Sequence, residues 1–251
     1  MPTSAERLLV ALDVDTGRHA LEIASALTGL AGGFKIGSRL FTLEGPALVR
    51  ELVSRGERVF LDLKFHDIPN TVAQAVESAV RTGAWMINVH ASGGVPMMAG
   101  AVKAGRETAH ALGQPPPLLI AVTVLTSMND EALRDVGVHR PMLDQVVSLA
   151  KLSQAAGMDG VVASPQEAAE IRRACGDTFV IVTPGIRGAS ARTKADDQVR
   201  TMGPAEAVRA GASYIVVGRP IIAAAEPRTA AAEIVEELGR ARSGPAPNDV
   251  R

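Results

Sequence analysis

The segment FLDLKFHDIPN, residues 60–70, places four charged or titratable side chains in and just after an apolar run. Asp62 and Lys64 lie two residues apart inside the run, and His66 and Asp67 follow it. Burying an unpaired charge is very costly, so charges at this place need partners of opposite sign. Acids that neutralise an ammonium also hold it in position, which electrostatic and acid–base chemistry requires. The segment therefore marks a candidate site, with a salt-bridge network that does no chemistry as the alternative.

The overall composition is that of a globular protein with a large core. The 251 residues are 47% hydrophobic and 21% charged, and the formal net charge is -1. Since nucleic-acid-binding proteins usually carry a basic excess, we expect no nucleic-acid partner. A single cysteine excludes an internal disulfide framework and a zinc cluster of the multi-cysteine kind. We see no signal peptide and no apolar run long enough to span a bilayer, so a soluble cytoplasmic protein without a membrane partner is expected.

Short apolar runs typical of strands alternate with segments of helical periodicity along the chain. Most of these runs are continuously apolar, which is typical of parallel strands covered on both faces. We predict strands at residues 8–14, 32–37, 58–64, 84–90, 118–125, 160–164, 179–185 and 214–219. The predicted helices lie at residues 19–30, 47–56, 71–83, 97–113, 142–157, 164–175, 203–211 and 229–242, with a short helical turn in the insertion 129–141.

The alternation of strands and helices predicts a single α/β domain, a (β/α)8 TIM barrel over residues 1–242. A doubly wound open sheet is the second possibility, weakened because no G-x-G-x-x-G follows the first strand. The Pro-rich polar tail, residues 243–251, is expected to be flexible. The segment 186–198 has no apolar face and is predicted to be a lid or a binding loop.

Polar residues occur at the carboxyl ends of the predicted strands, the ends that build the active-site face of a barrel. Because side chains alternate across a strand, Asp62 and Lys64 are expected to point inward near the barrel mouth, and alternation puts His66 on the same face. Asp13 and Lys35 on the neighbouring strands can point to the same place. Acids and ammonium groups then alternate, which makes their burial tolerable.

Gly218 and Arg219 follow the eighth predicted strand, a position at which (β/α)8 barrels commonly bind phosphate. A glycine lets a ligand approach the backbone closely and offers its N–H, and a guanidinium can bind two phosphate oxygens at once. The pair predicts a phosphate site, with an ordinary surface arginine as the alternative.

Motifs along nearly the whole chain resemble the orotidine 5′-phosphate decarboxylase family. They are LLVALDVD, FKIG, FLDLKFHDIPNTV, INVHASGG, VTVLTS, VTPGIR, DDQVR and YIVVGRPI, in this order. The DLKFHDIPNT stretch is the most specific of them, and the order and spacing of the others add to it. The resemblance implies a (β/α)8 barrel that forms a homodimer through the face at its strand carboxyl ends, with each active site completed by the partner.

The resemblance also implies roles for single residues. By motif, the catalytic residues are Lys64 as the proton donor, Asp62, Asp67 and Lys35. The implied substrate-binding residues are Asp13 and Lys35 for the ribose hydroxyls, Thr126, Ser127 and Pro184 for the pyrimidine ring, Gln198 in the lid, Gly218 and Arg219 for the phosphate, and Asp67 with Thr71 contributed to the partner's site.

The activity implied by the resemblance is decarboxylation of orotidine 5′-phosphate to uridine 5′-phosphate in pyrimidine biosynthesis. Neither a metal ion nor another cofactor is implied. Loss of CO2 from C6 of the ring leaves a carbanion that the ring cannot readily delocalise. An ammonium fixed beside C6, here Lys64, stabilises the developing charge and then delivers the proton.

Two other functions stay open on the sequence. One is a Mg2+-dependent sugar-phosphate decarboxylase or aldolase of the same suprafamily, which typically has an acid on strand two where this chain has Lys35. An ammonium there would repel a metal ion, and the five histidines lack the close i, i+4 spacing of a metal site. The other is a barrel that binds a phosphate ligand without turnover, and an assay with orotidine 5′-phosphate separates it from an enzyme.

Overall fold

A computed structural model describes residues 2–186 and 202–243 of the chain. The strands are β1 (Leu8–Ala11), β2 (Gly33–Gly37), β3 (Val59–Phe65), β4 (Met86–His90), β5 (Leu118–Val122), β6 (Gly160–Val162), β7 (Val180–Thr183) and β8 (Tyr214–Val217). The α-helices are α1 (Gly17–Leu27), α2 (Ser38–Ser54), α3 (Pro69–Val80), α4 (Gly94–Ala111), α5 (Asp130–Asp135), α6 (Met142–Ala155), α7 (Ala168–Cys175), α8 (Pro204–Arg209), α9 (Arg219–Ile222) and α10 (Pro227–Ser243).

The strands form one closed barrel in the order β1 to β8, in which β8 pairs with β1. Every neighbouring pair is parallel. This confirms the single (β/α)8 barrel, and the alternative of an open doubly wound sheet is wrong. β1, β5, β6, β7 and β8 end two or three residues earlier than predicted, and the residues that follow them lead into the loops of the barrel mouth. The flexible tail predicted for residues 243–251 stays a prediction, since residues 244–251 lie outside the described part.

Two apolar layers explain why the strands are apolar at nearly every position. One set of alternating residues fills the barrel interior, and the other set packs outward against the helices. The interior layer contains Leu9, Ala11, Phe60, Met86, Ile120, Val122, Val162, Val182 and Val216.

Helix α2 differs from its prediction, which covered residues 47–56 only. The element begins at Ser38 and contains a kink, where Gly45 has φ 65° and Pro46 follows. Pro46 cannot donate a helical hydrogen bond, and glycine is the residue that adopts a positive φ at low cost. The predicted helix is thus the second half of a kinked one. The short helical turn expected within 129–141 is confirmed as α5, where the Asn129 side chain accepts a hydrogen bond of 2.9 Å from the Ala132 N–H.

Arg172 on α7 joins the last two strands at the amino-terminal end of the barrel. Its guanidinium donates to the carbonyl oxygens of Phe179 at 2.7 Å and of Gly211 at 2.8 Å. It also donates to Ser213 Oγ at 3.2 Å, and that hydroxyl accepts a second bond of 3.1 Å from the Ile181 N–H. One side chain thus ties the segments that lead into β7 and β8.

Replacing Arg172 with alanine is expected to destabilise the fold by about 2–4 kcal/mol, because several charge-assisted hydrogen bonds are lost and partly buried acceptors remain. Equilibrium denaturation measures the free energy of unfolding. Arg173→Ala is the matched control, since the neighbouring guanidinium is exposed and pairs with Glu170 across one helical turn, and its loss should cost under about 0.5 kcal/mol. Equal losses in the two variants would refute this role of Arg172.

Candidate active site

Four charged side chains meet at the barrel mouth, from β2, from β3 and from the segment that follows β1. We call them the charge cluster: Asp13, Lys35, Asp62 and Lys64. The Lys35 Nζ atom lies 2.9 Å from Asp13 Oδ1 and 3.6 Å from Asp62 Oδ2. The Lys64 Nζ atom lies 2.7 Å from Asp62 Oδ1. The sign of the charge alternates along the cluster. Lys35 and Asp62 are only 8% and 9% exposed, and this alternation compensates the cost of burying them.

Strand register explains why the cluster forms. Lys35 on β2 pairs with Ala11 on β1 and with Phe60 on β3, and both of these neighbours line the barrel interior. The Lys35 side chain therefore points inward, as those of Ala11 and Phe60 do. Asp62 follows Phe60 by two residues and points the same way.

Strand β3 departs from regular alternation just where it carries the charges. Leu61 pairs with Ile87 and Phe65 with Val89, so a stretch of β3 bulges out between these two points. Lys64, inside the bulge, has φ 53° and is the only non-glycine residue of the described ranges with a positive φ. Such a conformation costs about 1–3 kcal/mol. Asp62 and Lys64 do meet as expected, but the bulge, and not simple alternation, accounts for it.

Asn88 on β4 holds the bulge in place and was missing from the predicted site. Its Nδ2 donates to Asp62 Oδ1 at 2.7 Å, and its Oδ1 accepts the Lys64 backbone N–H at 2.8 Å. Asn88 is fully buried, so both bonds are shielded from water. One amide thus orients the carboxylate and fixes the backbone of the lysine. The signal in the sequence is a polar residue within the apolar run MINVH, two residues after the interior Met86.

Two imidazoles stand at the rim of the charge cluster. The rings of His66 and His90 lie 5.3 Å apart between centroids, with 35° between their planes. His66 is exposed, and His90 is partly buried. Burial lowers the pKa of His90 from its usual value, and the neighbouring His66 and Lys64 lower it further, against the opposing effect of Asp62. His90 is therefore neutral at pH 7 and adds no charge beside Lys64.

The variant His90→Gln is expected to lose less stability in acid than the wild type. Because the folded-state pKa of His90 lies below the unfolded value of about 6.5, the unfolded chain takes up this proton first as the pH falls. That part of the acid destabilisation sets in below about pH 6.5 and is absent from the variant. Urea unfolding at neutral and acidic pH measures the difference, with the exposed His110→Gln as the control. An equal decline in wild type and His90→Gln would contradict this assignment.

Asp67 and Thr71 lie outside the charge cluster of their own chain. Both are exposed, in the connection after β3 and in the first turn of α3. The Asp67 carboxylate accepts the Ile68 backbone N–H at 2.6 Å. Within one chain, then, the structure does not bring these two residues to the lysines.

The remaining predicted residues follow other strands of the same barrel mouth. Thr126 and Ser127 form the turn after β5, the first partly buried and the second exposed. Pro184 follows β7 and is partly buried. Gln198, and with it most of the predicted lid 186–198, lies outside the described residues.

Gly218 and Arg219 follow β8, which neighbours β1 and thus the segment that carries Asp13. A Cβ atom built on Gly218 would lie 3.6 Å from Asp13 Oδ2. Arg219 begins the short helix α9 and is exposed at the mouth. The predicted phosphate anchor and the charge cluster are therefore adjacent.

The described ranges contain no group of three or more His, Cys, Asp or Glu side chains placed to hold a metal ion. In the cluster itself, both carboxylates face ammonium groups. In the same ranges, no helix has the length and apolar character to cross a membrane.

Comparison with known proteins places the chain among enzymes of one family. The family model described as orotidine 5′-phosphate decarboxylase / HUMPS matches residues 6–234. The orotidine 5′-phosphate decarboxylase of Syntrophotalea carbinolica is 54% identical over 94% of this chain and 96% of that protein, and that of Moorella thermoacetica is 53% identical over 93% and 92%. The crystal structure of orotidine 5′-phosphate decarboxylase from Lactobacillus acidophilus superposes with a TM-score of 0.82 at 38% identity, over 92% of this chain and 98% of that one. With its barrel, its motifs and these relatives, the chain belongs to the orotidine 5′-phosphate decarboxylase / HUMPS family.

Proposed function

We propose that this chain decarboxylates orotidine 5′-phosphate to uridine 5′-phosphate in pyrimidine biosynthesis. The observation that carries the proposal is the Lys64 ammonium held 2.7 Å from the largely buried Asp62 carboxylate at the barrel mouth. Relatives more than half identical to this chain carry the name of that enzyme. Membership of the wider family alone would leave the substrate open.

Substrate binding uses the groups around the charge cluster. Asp13 accepts from a ribose hydroxyl and Lys35 donates to one, since a carboxylate is an acceptor and an ammonium a donor. The Arg219 guanidinium and the Gly218 N–H bind the 5′-phosphate. The residues that contact or enclose the pyrimidine ring are Thr126, Ser127, Pro184 and Gln198.

Lys64 performs the chemistry at C6 of the orotate ring. The C6–carboxylate bond breaks, CO2 leaves, and the electron pair stays on C6. The Lys64 ammonium stabilises this charge as it forms and then transfers its proton to C6, which gives uridine 5′-phosphate and a neutral lysine. Asp62 holds the lysine in place through the 2.7 Å bond. Binding energy from the distant phosphate contributes by fixing the ring in this geometry.

No metal ion takes part in this mechanism. Lys35 bridges Asp13 and Asp62, with its Nζ atom 2.9 and 3.6 Å from their oxygens. An ammonium at this point occupies the carboxylates that a cation would need and repels the cation as well. This favours the decarboxylase over the Mg2+-dependent sugar-phosphate branch of the family.

A spectrophotometric assay tests the substrate and the metal independence together. The ultraviolet absorbance of orotidine 5′-phosphate is expected to change to that of uridine 5′-phosphate at the same rate with and without EDTA. Loss of the rate in EDTA would point to the metal-dependent branch. Binding of the nucleotide without any change in absorbance would point to a binding protein.

We further propose that the chain acts as a homodimer in which Asp67 and Thr71 serve the partner's active site. Asp67 and Thr71 lie exposed at the barrel mouth, away from the lysines of their own chain. Ile68 beside them is 66% exposed, and Val95 and Leu125, which follow β4 and β5, are 38% and 40% exposed. Exposed apolar side chains at the barrel mouth, next to the charge cluster, are typical of a surface that a second copy of the chain covers.

Mixing two inactive variants is expected to restore activity if the sites are shared. Lys64→Ala lacks the proton donor, and Asp67→Ala lacks the residue given to the partner. In a mixed dimer both defects fall in one site and the other is intact, so a statistical mixture should regain about one quarter of the wild-type activity. No recovery after subunit exchange, with dimers verified by mass, would place Asp67 in the site of its own chain.

A further inference from the structure

Gly37, the last residue of β2, is a glycine for reasons of space and not of backbone conformation. Its φ is -89° and its ψ 176°, angles that any residue adopts. A Cβ atom at this position would lie 3.0 Å from Lys35 Nζ and 3.6 Å from Asp13 Oδ1. Lys35 cannot readily retreat, because its Nζ atom is held between two carboxylates and the residue is 8% exposed. Any side chain at Gly37 would thus crowd the Lys35–Asp13 pair.

The space beside Gly37 is bordered by a donor and an acceptor. Lys35 Nζ and Asp13 Oδ1 are 2.9 Å apart, and the Asp13 side chain is 57% exposed to the mouth. On the other side of the same carboxylate, a Cβ atom at Gly218 would lie 3.6 Å from Asp13 Oδ2. The carboxylate therefore stands between two glycines, and both of its oxygens can be approached. Two adjacent hydroxyls, one accepting from the ammonium and one donating to the carboxylate, match this arrangement.

We propose that Gly37 determines specificity for the sugar: it keeps the space that lets a ribonucleotide, with its vicinal diol, bind in preference to a 2′-deoxyribonucleotide. The inference rests on the proposed function, because it assigns the Lys35–Asp13 pair to the sugar. A methyl group at this position would occupy the space that a sugar hydroxyl needs in order to bond to Lys35 or Asp13. A nucleotide that lacks one of the two hydroxyls should lose less binding affinity when Gly37 is replaced by alanine. Specificity of this kind arises when polar groups of a site are left without their partner.

Binding of uridine 5′-phosphate and of 2′-deoxyuridine 5′-phosphate, measured by calorimetry on the same preparations, tests the proposal. The wild type should bind the ribonucleotide at least about tenfold more tightly. Gly37→Ala should lose about tenfold in affinity for the ribonucleotide and much less for the deoxyribonucleotide, so that the ratio of the two affinities falls toward one. Gly239→Ala on α10 is the control, since its Cβ atom would make only an ordinary contact, 3.7 Å from Ser4 Oγ, and the ratio should stay unchanged.

The outcomes separate this inference from the function on which it rests. If Gly37→Ala weakens both nucleotides equally, or weakens neither, Gly37 does not select the sugar, although turnover by the wild type still supports the decarboxylase. If the wild type binds neither nucleotide and leaves orotidine 5′-phosphate intact, the proposed function itself is wrong. Because each ratio comes from one preparation, a partly unfolded variant cannot imitate the expected change.

Discussion

Lys64→Ala is expected to lower kcat for orotidine 5′-phosphate by about ten-thousand-fold or more, because the variant loses both the charge that stabilises the C6 carbanion and the proton donor. This corresponds to about 5.5 kcal/mol of transition-state stabilisation. Uridine 5′-phosphate should still bind, since Asp13, Lys35 and Arg219 are untouched. Initial rates and calorimetric titration measure the two quantities.

Two further variants sharpen the interpretation of the lysine. Lys64→Arg keeps a positive charge but replaces the donor by a guanidinium that does not release its proton at neutral pH. It should stay nearly as inactive as the alanine variant if proton delivery is required. Lys103→Ala is the matched control on α4, where the side chain is 75% exposed and 4.0 Å from Glu107. Lys64→Ala activity within about tenfold of the wild type would contradict the mechanism.

Asn88→Leu is expected to lower kcat by about 100- to 1,000-fold with little change in the affinity for uridine 5′-phosphate. The substitution keeps the volume but removes the 2.7 Å bond to Asp62 and the 2.8 Å bond from the Lys64 N–H. The bulge that carries Lys64 at φ 53° would then relax toward an ordinary strand conformation, because its strain is no longer opposed. A displacement of the ammonium by about 1 Å is enough to produce such a loss.

Thr123→Val gives the comparison for Asn88, because it too removes a buried hydrogen bond. The Thr123 hydroxyl donates to the Val162 carbonyl oxygen at 3.1 Å and makes no bond to the charge cluster. Its loss should reduce stability by about 1 kcal/mol and leave kcat within a few-fold of the wild type. If both variants lose the same stability and both keep their kcat, Asn88 serves only the fold.

Most strands of the barrel could be predicted from the sequence, because two physical rules can be applied to short segments of the chain. Parallel strands covered on both faces are apolar at almost every position, and the polar exceptions occur at the ends that form the site. These rules lead to the strands and place Asp13, Lys35, Asp62 and Lys64 at the barrel mouth, while the contact between Asp62 and Lys64 also depends on the bulge in β3. They also lead to Gly218 and Arg219 beside that cluster.

The bulge in β3 and the kink in α2 were not predicted, and they have different physical causes. The bulge at Lys64 is stabilised by Asn88 on β4, whose side-chain oxygen accepts the Lys64 backbone N–H. The alternation of residues within β3 does not indicate this contact, because it involves another strand. Helix α2 continues on the amino-terminal side of the kink at Gly45, back to Ser38. The periodicity of a single straight helix does not continue through Gly45 and Pro46, so only the second half was predicted. The roles proposed for Asp67 and Thr71 involve a second chain, so the contacts within one chain do not test them.

Single-turnover decarboxylation of orotidine 5′-phosphate labelled with 13C in its carboxylate tests the central claim most directly. With wild-type enzyme in excess and EDTA present, the account predicts one labelled CO2 and one uridine 5′-phosphate for each substrate consumed, while Lys64→Ala returns the substrate intact over the same period. Labelled substrate recovered unchanged from the wild type, or CO2 released at the same rate by both proteins, would contradict it.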